Sequence, residues 1–142
     1  MSEPTVIRDV KHVRQFMFAG KATLTLKSEA SGDHYTLKIN KMKDKQGLFF
    51  VSLLSSANQY TYLGMIVGTV PMFKLTAKSK MSEDSTPVRA VKYFLNHLVE
   101  HNQIAPKLEV RHEGCCGRCG RELTHPDSID RGIGPECIKH VS

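Results

Sequence analysis

Residues 21–41, KATLTLKSEASGDHYTLKINK, decide the fold. Ala22, Leu24 and Leu26 alternate with Lys21, Thr23, Thr25 and Lys27, so KATLTLKS at 21–28 reads as a strand with one buried face. SGD at 31–33 supplies a turn, and HYTLKINK repeats the period of two with Tyr35, Leu37 and Ile39 on one face. Two such runs across a short turn predict an antiparallel hairpin.

The pattern continues downstream. KDKQG at 43–47 is a turn, LFFVSLL at 48–54 a strongly apolar central strand, and SSANQ at 55–59 another turn. YTYLGMIV at 60–67 is the next strand, VP at 70–71 breaks it, and MFKLTAK at 72–78 is a shorter fifth strand. Sequential strands with short connections form an antiparallel meander. Upstream, RDVKHVRQFMFA at 8–19 carries Val10, Val13, Phe16 and Met17 at helical spacing and ends at Gly20, a residue suited to a helix C-terminus.

After the polar run at 78–85, Thr86 as N-cap and Pro87 in the first turn open the longest helix, PVRAVKYFLNHLVEHN. Val88, Val91, Phe94, Leu95, Leu98 and Val99 form its apolar stripe, the pattern of a helix packed on a sheet. KLEVRH at 107–112 returns as a strand. The expected class is α+β: a mainly antiparallel sheet with one long packed helix and a C-terminal zinc-binding module. Residues 1–106 are expected to form the sheet-plus-helix domain and 107–142 the module packed against it, with Leu24, Leu37, Phe50, Leu63, Phe94 and Leu98 in one core.

A chain of 142 residues is long enough to bury such a core. No window approaches the ~18 apolar residues of a membrane helix, and MSEPTVIRDV has no apolar signal region, so a cytoplasmic protein without a membrane partner is expected. The formal charge of +6 admits an acidic partner such as nucleic acid, and a lysine-rich solvated surface gives the same balance.

All four cysteines, Cys115, Cys116, Cys119 and Cys137, fall near the C-terminus. A disulfide framework would spread them along the chain, whereas a cluster with C-x-x-C spacing favours metal. Cys116 and Cys119 form a knuckle, and Pro135 suits the start of a short helix that presents Cys137. Sulfur-rich tetrahedral sites in a reducing compartment favour Zn²⁺. A closed structural site needs four ligands. Spacing leaves the fourth open between His112, four residues before Cys116, and His140, three after Cys137, with His125 a third choice. Only 116/119 has the C-x-x-C spacing, so Cys116 is preferred to Cys115, which could still swap in or be a free thiol.

The run His112-Glu-Gly-Cys-Cys116-Gly-Arg-Cys119-Gly-Arg121, then Leu123-Thr124, Pro126, Ser128-Ile129 and Gly132-Ile-Gly-Pro135-Glu-Cys137, resembles an uncharacterised family of phage and bacterial proteins. The upstream pieces FAGKATLTL, TYLGMI and FKLTAKSK extend the resemblance over residues 15–137. It implies the ligand set His112, Cys116, Cys119 and Cys137, leaves Cys115 out, and implies a phage or prophage origin with no established activity. The host cytoplasm is then the expected location.

A catalytic zinc keeps an open position and a nearby base. Glu113 and Glu122 are the nearest candidates, and the deaminase arrangement H-x-E with P-C-x-x-C is absent. No phosphate loop or dinucleotide fingerprint is present, so no enzymatic activity is expected. The leading expectation is a small zinc-binding accessory protein contacting nucleic acid, through Arg118, Arg121 and Arg131 of the module and Lys27 and Lys38 on the outward strand faces. The alternative is a protein-binding inhibitor of a host factor or defence system. The sequence leaves the oligomeric state open.

Overall fold

The computed structural model describes residues 5–29, 31–42, 47–56, 59–67, 72–124 and 126–140. A short strand β1 (Thr5–Val6) precedes helix α1 (Val10–Met17). Five strands follow: β2 (Lys21–Ser28), β3 (His34–Lys41), β4 (Leu48–Ser56), β5 (Gln59–Val67) and β6 (Met72–Lys74). Helix α2 (Thr86–Glu100), strand β7 (Leu108–His112), helix α3 (Pro126–Arg131) and a 3-10 turn (Cys137–His140) complete the chain.

The seven strands form one antiparallel half-barrel sheet in the order β1-β7-β2-β3-β4-β5-β6. The 21–41 hairpin pairs Leu24 with Leu37 and Lys21 with Asn40, so the apolar residues of both strands share a face. On the other side of β2, β7 sets His112 opposite Leu24 and Arg111 opposite Thr25. The last strand is therefore an interior strand of the sheet, and it carries the chain directly into the cysteine segment. The expected break at 70–71 and all of the 43–47 turn but Gly47 lie outside the described residues; of the 55–59 turn only 57–58 do, and Ser56 pairs with Gln59 across it.

Asp9 caps α1, its side chain accepting from Lys11 N at 2.8 Å. Helix α2 begins one residue earlier than Thr86 as N-cap would place it: Ser85 is the extended N-cap, and Pro87 occupies the first turn, where no N–H is needed. Val88, Val91, Phe94, Leu95 and Leu98 of α2 are buried, each contributing about 1.5–3 kcal/mol. The Arg14 guanidinium donates to the Leu98 carbonyl near the end of α2, joining the two helices. Among the described residues no helix is long and apolar enough to cross a membrane.

One expected core residue is elsewhere. Leu24, Leu37, Leu63, Phe94 and Leu98 are buried at 0–1%, but Phe50 is 37% exposed. The strand LFFVSLL alternates: Phe49, Val51 and Leu53 face inward while Phe50 and Leu54 face outward. A run apolar at every position hides its period, and the cross-strand register decides which half enters the core. MFKLTAK is also shorter than expected, pairing only over Met72–Lys74.

Candidate metal centre

From Gly114 to Leu123 the chain doubles back on itself. Leu123 N donates to Gly114 O at 2.8 Å, Cys116 N donates to Arg121 O at 2.7 Å, and the backbones of Cys115 and Glu122 pair as an isolated antiparallel β-bridge. Within this loop Gly120 N closes on Cys116 O at 2.9 Å, with Gly120 at φ +83°, a conformation costly for a side-chain-bearing residue. This turn places two cysteines three positions apart on the same side. The 3-10 turn at the end of the chain brings up the third.

The Sγ atoms of Cys116, Cys119 and Cys137 lie within 4.8 Å of one another. Zn–S bonds of about 2.3 Å place tetrahedral sulfurs about 3.8 Å apart, so small adjustments close the three around one ion. Cys116 and Cys137 are buried and Cys119 is exposed, which puts the cluster at the rim of the module. Backbone N–H groups of Arg118 and Gly134 each point at Cys116 Sγ, at 3.4 Å, and Arg118 Nη1 points at Cys137 Sγ at 3.6 Å. Donors converging on sulfur fit thiolates better than thiols. Burial opposes ionisation of Cys116, yet the backbone N–H groups of Gly134, Cys119 and Arg118 outweigh it and bring the thiol from 9.0 down to about 7. Cys137 is shifted the other way, by burial first, against the bond from Arg118. The cluster borders a cavity of about 440 Å³ whose walls include Arg121, Glu122 and Ser128.

His112 does not join the sulfurs. It is fully buried, its Nε2 faces Ile129 O at 2.6 Å, and Gly114 N donates to its Nδ1 at 2.8 Å. Both ring nitrogens are occupied by the backbone, and those partners define a neutral ring with the proton on Nε2. Burial lowers its pKa below 6.5, against the opposing pull of the Ile129 carbonyl and Glu113. The imidazole is thus a bolt between the end of β7, the knuckle and α3. The structure sets the expected ligand His112 apart from the three sulfurs, and metal binding would cost it one of two buried hydrogen bonds. His140 ends the 3-10 turn three residues after Cys137. His125 and the side chain of His140 lie outside the described residues. Cys115 is exposed and stands apart from the three clustered sulfurs.

The module is seated on α1 through Phe16. A Cβ at Gly117 would come within 2.7 Å of Phe16 Cδ1, and one at Gly132 within 2.6 Å. Gly117 N donates to Gly132 O at 2.9 Å, and Lys21 N donates to Gly117 O at 2.7 Å. Two glycines thus let two backbone segments close over one ring, which also lies 5.9 Å from the His112 imidazole. The packing role of the two glycines depends on a partner a hundred residues away, which no local motif displays.

The arginines expected at a nucleic-acid surface are partly engaged within the module. Arg131 donates from Nε to Ile133 O at 2.9 Å, and Arg118 points at Cys137. Arg121 is exposed beside the cavity. Lys27 and Lys38 do lie on the outward face of the sheet, where Lys38 Nζ sits 4.4 Å from the centre of the Tyr60 ring. Phe50, Tyr60 and Tyr62 share that face and were not singled out from the sequence as a surface.

The fold and site together define an antiparallel-sheet protein with a C-terminal three-cysteine knuckle able to hold a metal ion. Residues 106–142, which span β7 and the whole knuckle, match a family of unknown function (DUF6011). The match starts at residue 106, so the upstream pieces FAGKATLTL, TYLGMI and FKLTAKSK lie outside it. No curated protein and no solved structure matches the chain.

Proposed function

We propose that the protein is a zinc-clipped accessory protein that contacts nucleic acid, its zinc structural and held by Cys116, Cys119, Cys137 and His140. The convergence of three sulfurs under N–H donors carries the metal reading. His140 replaces His112 as fourth ligand because it lies one 3-10 turn from Cys137, while the ring nitrogens of His112 are taken. Support for nucleic acid is the charge of +6 together with Lys27 and Lys38 on one sheet face. A phage or prophage setting, with action in a host cytoplasm, fits a small basic protein of this kind. The unit that depends on zinc is the segment beyond β7, seated on the sheet domain.

Metal analysis of the purified chain should give one zinc, retained by His112→Ala and lowered by His140→Ala or by serine at any of the three cysteines. No metal, or a Cys116–Cys119 disulfide, defeats the proposal. The cavity beside the sulfurs, walled in part by Glu122, favours a second reading, a metal with an open position and a neighbouring base. Full zinc occupancy in His140→Ala, with an exchangeable water on the metal in the parent protein, would select it.

A further inference from the structure

The outward face of the sheet is built differently from an ordinary solvated face. Cross-strand register defines its members. Lys38 lies opposite Ser52, which lies opposite Tyr62; Leu54 lies opposite Tyr60; Phe50 lies opposite Met65, which lies opposite Lys74. Residues directly opposite in a ladder share a face, so Phe50, Tyr60 and Tyr62 stand together on β4 and β5. Phe50 and Tyr62 contact edge to face at 6.1 Å between ring centres. Phe50 and Leu54 are each 37% exposed and Met72 is 57% exposed, so three of the four large exposed apolar side chains among the described residues occupy this one face.

Its charge points to the occupant. Lys27 on β2, Lys38 on β3 and Lys74 on β6 flank the aromatic group of β4 and β5, so the face runs over five strands. At strand spacings of about 4.8 Å, β2 to β6 spans about 19 Å. Among the described residues on this face, Glu109 is paired with Arg111, accepting from its Nε at 3.0 Å, while Glu113 accepts from Thr25 Oγ1 at 3.2 Å, keeps its charge near Tyr60, and is outnumbered by the three lysines. What remains is net positive, with hydroxyl and amide side chains at Thr23, Thr36, Asn40 and Ser52 between the rings and the cations. An apolar protein partner would not call for this ring of lysines, whereas a polyanion with flat π-faces matches both features. A duplex hides those faces within its stack, and a sheet face has no helix or ribbon to enter a groove.

We propose that this face binds single-stranded nucleic acid, its bases stacking on Phe50, Tyr60 and Tyr62 and its phosphates lying along Lys27, Lys38 and Lys74, with Lys38 exchanging its place over the Tyr60 ring for a phosphate. The proposal rests on the nucleic-acid reading above and names the strand state and the stacking rings that would take the bases.

The test is fluorescence anisotropy of the zinc-loaded full chain with labelled dT20 and with a 20-base-pair duplex, over a salt series. The parent should bind dT20 more tightly than the duplex, with affinity falling as salt rises. Phe50→Ala and Tyr60→Ala should each weaken dT20 binding by roughly 5- to 150-fold, the span of a single base–aromatic stack. Phe50→Trp should retain binding, and Lys38→Ala should lower the salt slope by about one. Zinc content equal to the parent's and cooperative melts within about 6 °C of it show that these surface variants are folded. Parent-like dT20 binding in both alanine variants, or duplex binding as tight as dT20, overturns the sheet-face proposal while leaving the nucleic-acid reading in place. No binding to either probe at low salt overturns both. So does the pairing of no dT20 binding with capture of a host protein that Phe50→Ala abolishes, which would assign the face to protein docking.

Discussion

The sheet body and the knuckle are held by different physics in one chain of 142 residues. In the body, buried Leu24, Leu37, Ile39, Val51, Leu63, Phe94 and Leu98 interlock between the sheet and α2. In the segment after β7 the buried apolar side chains among the described residues reduce, apart from cysteines, to Leu123 and Ile133. Apolar burial secures the first region. The second is held by short backbone bonds, by the His112 bolt, by Phe16 from outside and, on our proposal, by zinc. A region with so little core of its own should come apart by removing a few specific groups, while the body should lose stability by increments.

Taking away the metal should produce the largest difference. Apparent zinc affinity in small structural sites is about 10–16 kcal/mol, well above what two or three buried aliphatic side chains supply. Chelation, or Cys137→Ser, should therefore abolish hydrogen-exchange protection across 113–137 while β2–β5 and α2 keep theirs. Equal protection in both regions after verified zinc removal would dissolve the contrast and favour an open metal site. Acid should act in the same direction, since the thiols must shed protons to bind and zinc affinity falls as pH drops.

Phe16→Ala comes next, because Phe16 belongs to the body and plugs the module. Removing a buried phenylalanine costs about 3–5 kcal/mol. Here the cavity opens under Gly117 and Gly132, so urea melts should show the body weakened and exchange should show the knuckle loosened further, with zinc still bound. If only the body responds, the two regions are less coupled than the packing indicates.

How legible this was depended on whether the relevant partner was near in sequence. The 21–41 hairpin could be read residue by residue, because alternation and turn lie within one window. The cysteine set was likewise legible from its spacing. The surroundings of His112 were not: its ring nitrogens meet the Ile129 carbonyl, seventeen residues on, and the Gly114 N–H, and backbone groups leave no signature in a motif. Its position just ahead of a C-x-x-C looks the same for a ligand and for a bolt. Phe50 failed for a related reason, since the register against β3 and β5 assigns its face.

The His112 bolt gives a third, smaller effect with a definite pH sign. Its folded pKa is depressed below 6.5, so above that value both folded and unfolded chains carry a neutral ring and nothing is lost. As pH falls through 6.5 the unfolded chain takes up the proton first, and stability declines until the folded value is passed. His112→Gln should flatten that part of the profile, read as the difference in urea midpoint between variant and parent from pH 7 downward. His112→Ala should lower stability at neutral pH by about 1–3 kcal/mol for each backbone group left unsatisfied, with zinc content unchanged. A loss of zinc in His112→Ala at neutral pH, with the fold intact, would return the residue to the ligand set.

The smallest effect should come from the body's outer face, and it separates a surface built for stability from one kept for contact. Leu24 and Phe50 both lie on interior strands of the same sheet, one at 0% and the other at 37% exposure. Leu24→Ala should cost about 2–5 kcal/mol, since the transfer term and the cavity term both apply. Phe50→Ser removes one edge-to-face contact with Tyr62 and some partly exposed area, and opens no cavity. An aromatic pair of this kind is worth about 0.5–1.5 kcal/mol, and relief of exposed apolar surface offsets part of that. For a chain near 150 residues, 1 kcal/mol moves the midpoint by roughly 2–4 °C, so Phe50→Ser should shift the melt by no more than about 6 °C. A small shift together with lost single-strand binding means that the ring is retained for what it touches outside the fold. A shift as large as that of Leu24→Ala would mean that Phe50 is part of the core's support, and the aromatic face would then have a structural reason to exist.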